Sequence, residues 1–128
     1  MMNDKEKLLK HLQDNRLISY MNNTKWEKLI FEINVKEDYS PHVRIKYLYD
    51  LEPPEGFSPV WWDEVKQFGY KYIEWMEINP IVKEYVGQLV PDKITSYLTF
   101  IEDTLRRCNQ SHEVHDGIFK IYGYRRIR

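Results

Sequence analysis

The stretch Tyr70–Pro80, with the sequence YKYIEWMEINP, constrains the fold more than any other part of this 128-residue chain. Successive side chains of a β-strand point to opposite faces. One face would carry Ile73 and Trp75, and the other would carry Tyr72, Glu74, Met76 and Ile78. Both faces are mostly apolar, which is typical of a strand that is covered on both sides. We therefore expect this stretch to form the central strand of a sheet.

Three other segments have the patterns of strands. After Pro41, apolar and polar side chains alternate, which predicts a half-buried strand. Its two faces are Val43, Ile45, Tyr47 and Tyr49 on one side, and His42, Arg44, Lys46 and Asp50 on the other. Val60–Val65 is interpreted as a second strand, which follows a proline-rich loop over residues 51–59. Glu113–Tyr124 predicts a hairpin, because Asp116-Gly117 can adopt the positive φ angles of a tight turn.

Two helices are predicted before the first of these strands. Residues 4–14 have the pattern of a short amphipathic helix, with Asn3 as its N-terminal cap. The second helix is expected over residues 25–36, where Thr24 and Glu27 have the spacing of a capping box.

The longest predicted helix lies in the C-terminal half. Pro91 is expected to begin it, and its apolar side chains keep a helical period as far as Cys108. Residues 81–90 predict only a short turn or helix. The order of segments predicts an α+β fold, in which an antiparallel sheet of four to five strands carries two N-terminal helices and this long helix. Residues 1–20 are interpreted as an N-terminal helical extension, and residues 21–128 as a single α+β domain.

The composition excludes several classes of protein. Hydrophobic residues make up 42% of the chain and charged residues 30%, the balance of a globular domain. A net charge of −1 provides no overall positive field to attract nucleic acid. No apolar run approaches the ~20 residues of a membrane helix. The N-terminus, MMNDKEKLLKHLQDN, does not have the pattern of a signal peptide. We therefore expect a cytoplasmic protein that does not associate with a membrane.

The usual motifs of catalysis and cofactor binding do not occur in the sequence, which has no P-loop, dinucleotide fingerprint or nucleophile elbow. His112 and His115 are three residues apart in a predicted strand, so they face opposite sides and cannot share a metal. Cys108 is the one cysteine and lies on the apolar face of its helix, which favours a core role. We expect no catalytic residue, no metal and no cofactor.

Glu74 lies between Ile73 and Trp75 in the central stretch, where an acidic side chain can be partly buried. An acid in such a position is usually paired, and sometimes catalytic. We interpret Glu74 as the salt-bridge partner of Arg44 or Lys46 on a neighbouring strand. An enzyme that uses Glu74 is kept as a less favoured alternative.

An acidic, aromatic segment over residues 50–64 is the first candidate binding site. It contains no lysine or arginine. Aromatic side chains anchor protein interfaces, and charges steer association. The sequence therefore favours a protein-binding module of immunity, antitoxin or regulatory type. The candidate partner-binding residues are Glu52, Glu55, Trp61, Trp62, Asp63 and Glu64.

The basic C-terminus is the alternative binding site. Tyrosine rings and guanidinium groups together can stack on bases and hold phosphates, so nucleic-acid binding by the C-terminal hairpin is the second hypothesis. The residues that would carry it are Tyr124, Arg125, Arg126 and Arg128. An exposed strand edge could also pair two chains, which leaves a homodimer open.

Three short motifs resemble a known family. Met21–Trp26 (MNNTKW) resembles the opening of a family of small bacterial proteins described only as a domain of unknown function, and Ile73–Trp75 and Val114–Tyr124 resemble its later blocks. The resemblance covers residues 21–126. It implies a small cytoplasmic bacterial protein without an assigned activity, of a kind that often acts as an antitoxin-like or immunity-like partner. It also implies that residues 1–20 are an addition to the family domain.

Overall fold

The computed structural model describes residues 1–127 as an α+β fold. The helices in this range are α1 (Asp4–Asp14), α2 (Asn23–Asn34), α3 (Trp62–Phe68) and α4 (Leu98–Arg107). The strands are β1 (Leu17–Ser19), β2 (His42–Tyr47), β3 (Ser58–Pro59), β4 (Ile73–Asn79), β5 (Ile81–Glu84), β6 (Lys93–Ser96), β7 (Glu113–His115), β8 (Ile118–Tyr122) and β9 (Tyr124–Arg126). None of the described helices has the length and apolar character needed to cross a bilayer.

The main sheet has five antiparallel strands in the order β3-β2-β4-β8-β7. The predicted fold class is therefore confirmed, and β4 is the central strand as expected. The first three residues of the predicted strand form a 3-10 turn instead, Tyr70–Tyr72. Two small sheets complete the fold, one formed by β1 and β9 and the other by β5 and β6.

A β-bulge at Glu74 changes the predicted faces of the central strand. Lys46 of β2 pairs with Trp75, and the next residue of β2, Tyr47, pairs with Ile73. Glu74 therefore has no partner on β2 and is the extra residue of the bulge. Ile73 therefore joins Met76 and Ile78 in the main core, and all three are fully buried. The predicted grouping of Ile73 with Trp75 is wrong, because regular alternation does not continue through the bulge.

One face of the main sheet packs against α2 and α4. The apolar stripe of α2 has the predicted helical spacing, and its residues Trp26, Leu29 and Ile33 are buried. Ile101 and Leu105 of α4 enter the same core. Burial of a large apolar side chain contributes about 1.5–3 kcal/mol. These helices therefore supply much of the stabilisation of the sheet.

The first 20 residues contact the rest of the chain at its C-terminal strand. β1 pairs with β9, and Leu8 packs in a smaller apolar cluster with Leu48 and Tyr124. The predicted division between residues 1–20 and 21–128 stays a prediction.

The predicted strand Val60–Val65 is wrong, because most of this segment belongs to α3. In a helix, Trp62 and Val65 lie on the same side, and both pack on the main core. Asp63 occupies the first turn, where the helix dipole favours a carboxylate. Trp61 is left on the outside.

The predicted helix from Pro91 is wrong over its first turns. Lys93–Ser96 forms β6, which pairs with Ile81–Glu84 in a hairpin, so the predicted turn or helix over residues 81–90 is wrong as well. Both strands contain β-branched pairs, Ile81-Val82 and Ile94-Thr95, which favour extended backbone. The helix α4 begins only at Leu98.

The predicted caps of α1 and α2 and the predicted hairpin turn are partly confirmed. Asn3 caps α1, since its side-chain oxygen accepts a 2.9 Å hydrogen bond from the amide of Glu6. The cap of α2 is Asn22 rather than Thr24, because the side chain of Asn22 accepts from the amide of Lys25 at 2.8 Å. The predicted hairpin is confirmed, with Asp116 and Gly117 at φ angles of 52° and 78°.

Candidate functional site

The aromatic centre of the predicted acidic site is Trp61, directly before the first turn of α3. Its side chain is 72% exposed. Trp62, one residue later, is partly buried and packs against the main core. The helix thus separates the two tryptophans, because Trp62 holds α3 on the core while Trp61 projects outwards.

The four carboxylates of the predicted acidic site face solvent and are not neutralised within the described chain. All four predicted acidic residues are exposed, and none of their side chains forms a salt bridge within residues 1–127. The negative potential reaches a neighbouring side chain. Burial raises the pKa of the Tyr47 hydroxyl, and repulsion from Asp50 and Glu64 raises it further. We use the name acidic surface for Trp61 together with these four acidic residues, which are Glu52, Glu55, Asp63 and Glu64.

A groove of about 640 Å³ runs beside the acidic surface. One wall is α3, from which Glu64 and Phe68 line it, and the opposite wall is the loop at Pro54 and Gly56. The edge of β2, including Ile45, lines the groove as well. The sequence pattern did not reveal this groove, because it depends on the helical conformation of residues 62–68.

Glu74 forms a salt bridge with Lys46, with 3.0 Å between the carboxylate oxygen and Nζ. The expected pairing with Arg44 or Lys46 is therefore confirmed for Lys46. Arg44 instead binds Glu77, at 2.9 Å. The bulge places Glu74 on the face of the sheet away from α2 and α4, where these ion pairs lie side by side. Glu74 is thus engaged by a structural partner.

The structure brings the basic C-terminus close to Glu74. Both line a second cleft, of about 780 Å³. Tyr124 is only 8% exposed and donates a 2.7 Å hydrogen bond to the carbonyl of Lys71. The Arg125 guanidinium lies 3.0 Å from a carboxylate oxygen of Glu113 and stacks over the ring of Tyr122. Arg126 is exposed, and Arg128 lies outside the described residues.

The histidines and the cysteine are held by local contacts. His112 lies 3.1 Å from the carbonyl of Gln110, and His115 lies 2.7 Å from a carboxylate oxygen of Glu113. Cys108 packs against the main core, and burial raises the pKa of its thiol. In the part of the chain that the structure describes, no group of three or more metal-ligating side chains is present.

Fold and site together define a small α+β protein with a five-stranded antiparallel sheet and an acidic, aromatic groove at one sheet edge. The model of a family of unknown function, DUF6678, matches residues 8–127, so the chain belongs to that family. This confirms the relation to a domain of unknown function that the motifs indicated, and the match begins before Met21. No curated protein matches the chain, and no solved structure matches it.

Proposed function

We propose that this protein binds a positively charged partner protein through the acidic surface, as a module of immunity, antitoxin or regulatory type. One observation carries the proposal. Trp61 is 72% exposed, and the four carboxylates of the acidic surface have no ion-pair partner within residues 1–127. Such a surface leaves both apolar area and charge available to another molecule.

The chemistry of the surface favours a basic protein as its ligand. Tryptophan is enriched among the residues that contribute most to protein interfaces, because a large rigid ring buries much area at little entropic cost. Carboxylates around such an anchor accelerate encounter with a basic surface and repel acidic ones. Phe68 and Leu51 are also exposed nearby in the chain and extend the apolar area.

The partner would be regulated by having its own basic surface covered. If that surface is the one with which the partner binds its substrate or nucleic acid, the complex is inactive. This is the action of an immunity or antitoxin protein, and it requires no catalytic residue on the inhibitor. A bacterial host and an intracellular site of action belong to this proposal.

Capture from the native host tests the proposal. The wild-type protein should retain a specific basic protein, and binding should weaken as the salt concentration rises. Trp61→Ala should lower the affinity by roughly 30-fold or more, the effect of losing an interface anchor. Combined neutralisation by Glu52→Gln, Glu55→Gln, Asp63→Asn and Glu64→Gln should chiefly slow association.

Tyr85→Ala provides the matched control, because Tyr85 is equally exposed, at 73%, but follows β5 in a different part of the chain. It should capture the partner as the wild type does. The proposal is wrong if the Trp61 and charge-neutralised variants retain the same proteins with unchanged affinity.

Nucleic-acid binding by the C-terminal hairpin stays the alternative prediction. Tyr124 and Arg125 already have partners inside the fold, which leaves Arg126 as the exposed cation among the members of this group that the structure describes. Titration with RNA and DNA would reveal such binding through its steep salt dependence and its loss in Arg126→Ala. Strong binding of this type by wild-type protein would favour the alternative over a protein partner.

A further inference from the structure

The edge of β2 that borders the groove has no neighbouring strand over most of its length. β3 pairs only with His42 and Val43, whereas β2 continues to Tyr47. In the part of the chain that is described, no other strand pairs with this side of β2. An unpaired edge offers backbone donors and acceptors to any extended segment that can reach it.

The hydrogen bonds of neighbouring residues show which backbone groups point into the groove. The Tyr47 amide donates to the side chain of Asp50 at 3.0 Å, and its carbonyl accepts from the Asp50 amide at 3.1 Å. The Leu48 amide donates in the other direction, towards the carbonyl of Tyr72 beside β4. Because backbone groups alternate in direction along a strand, those of Ile45 point to the same side as those of Tyr47. Within residues 1–127 no partner bonds to these groups, so Ile45 presents its N–H and its C=O to the groove.

We propose that this groove takes an extended, basic segment of the partner protein as an added strand beside Ile45. The inference rests on the proposed function, since it names the binding mode of the same partner. The volume of the groove, about 640 Å³, lies within the range of ligand-binding pockets in proteins. Strand addition obtains affinity from main-chain hydrogen bonds, and specificity from the side chains that flank the added strand.

The charges beside the groove select the occupant. Glu64 lines the groove on one side, and the acidic loop that contains Glu55 borders it on the other. Among the residues that the structure describes, the one cation that lines the groove is Arg44, which is already bound to Glu77 and stacked on Phe57. Lysine or arginine side chains on the added strand would neutralise the free carboxylates. A second copy of this chain would bring the same carboxylates against each other, which disfavours a homodimer at this edge.

Amide hydrogen exchange tests the inference directly. The probe is a peptide of about ten residues that alternates lysine and valine, and a glutamate–valine peptide is its control. The lysine peptide should slow exchange of the Ile45 amide by about tenfold or more, while the Tyr47 amide, already bonded to Asp50, should be unchanged. The glutamate peptide should protect neither amide. Failure of the lysine peptide to protect Ile45 would overturn the inference.

Ile45→Pro tests the same contact with the captured partner. Proline removes the free N–H, and edge strands tolerate proline where the N–H does not pair within the sheet. Capture should fall by about tenfold or more, whereas Ile45→Val, which keeps the backbone donor, should bind as the wild type does. If capture depends on Trp61 but is unchanged in folded Ile45→Pro, strand addition is wrong and the proposed function stands. Protection of Ile45 that rises with protein concentration alone would instead identify a second copy as the occupant.

Discussion

Gly123 connects the main sheet to the β1–β9 sheet at a point where two backbones nearly touch. Its amide donates a 2.8 Å hydrogen bond to the carbonyl of Glu74, and its carbonyl accepts one of 2.8 Å from Tyr20. A Cβ atom at this position would overlap the carbonyl oxygen of Ile73. Only glycine therefore allows the chain to pass the bulge at Glu74.

Gly123→Ala should lower the free energy of unfolding by roughly 3 kcal/mol, because the backbone of β4 must move to admit the methyl group. Gly56→Ala is the matched control. A Cβ at Gly56 meets nothing within 4 Å, so its effect should stay within about 0.5 kcal/mol. Urea unfolding of both variants measures the difference. Equal stability of the two would show that the contact at Gly123 is easily relieved.

Individual contacts could be predicted from the sequence only where they depend on regular geometry. The pairing of Glu74 with a basic residue of the neighbouring strand follows from an acid in a mostly apolar strand, and the structure supplies Lys46. The bulge could not be predicted, because it lies where Gly123 approaches β4 from a distant part of the chain. The burial of Ile73 with Met76 depends on that bulge.

The elements whose prediction is wrong are those in which tertiary packing opposes a local signal. The sequence around Trp62 and Val65 is compatible with either a strand or a helix. Only a helix places both side chains on the same side, where they contact the main core as part of α3. Residues 93–96 continue a helical period, but pairing with β5 satisfies their backbone as β6. Because the groove requires α3, the acidic residues could be predicted from the sequence while the shape beside them could not.

The hairpin of β7 and β8 has a pH-dependent contact at Glu113. A hydrogen bond from His115 lowers the pKa of the Glu113 carboxyl. Burial opposes this shift, and the positive charge of Arg125 adds to it. Lys120 lies directly across the ladder. The folded protein therefore binds fewer protons at this site than the unfolded chain does. Its stabilisation is present above about pH 4.3 and is lost as the pH falls through the lower, folded-state pKa.

Glu113→Gln should remove this pH-dependent contribution to the free energy of unfolding. The difference in free energy of unfolding between the wild type and this variant should shrink as the pH falls below about pH 4.3. Glu52→Gln is the control, because Glu52 is exposed and has no ion pair in the described chain. Its difference from the wild type gives the baseline for the loss of an exposed carboxylate without an ion pair. Urea unfolding at a series of pH values measures both, and a constant Glu113 difference would contradict the assignment.

Two apolar clusters of unequal size hold the molecule together. The main core begins with Met21 and continues to Ile121, without any member from the first 20 residues. The smaller cluster places Leu8 against Leu48 and Tyr124. The family match over residues 8–127 includes most of α1 and all three buried residues of this second cluster. The stability of the main sheet and that of the N-terminal segment can therefore be measured separately.

Removal of residues 1–20 should leave a chain that still unfolds cooperatively, because every buried member of the main core is retained. Its free energy of unfolding should fall by about 2–5 kcal/mol, the cost of losing a buried leucine and exposing its neighbours. Urea unfolding monitored by tryptophan fluorescence measures both the midpoint and the cooperativity, since Trp26 is buried in the main core. Loss of a cooperative transition would mean that residues 1–20 are an integral part of the domain.

Two substitutions in the 128-residue chain show which contacts cause that loss of stability. Leu8→Ala removes the buried side chain but keeps the β1–β9 pairing, whereas Leu9→Ala changes a neighbour that is 50% exposed. If packing dominates, Leu8→Ala should reproduce most of the effect of the deletion, and Leu9→Ala should change stability by less than about 0.5 kcal/mol. If Leu8→Ala instead has little effect while the deletion remains costly, backbone pairing with β9 is the larger contribution. The N-terminal segment would then stabilise the molecule as an added strand, by the same kind of contact that we propose for the partner at the edge of β2.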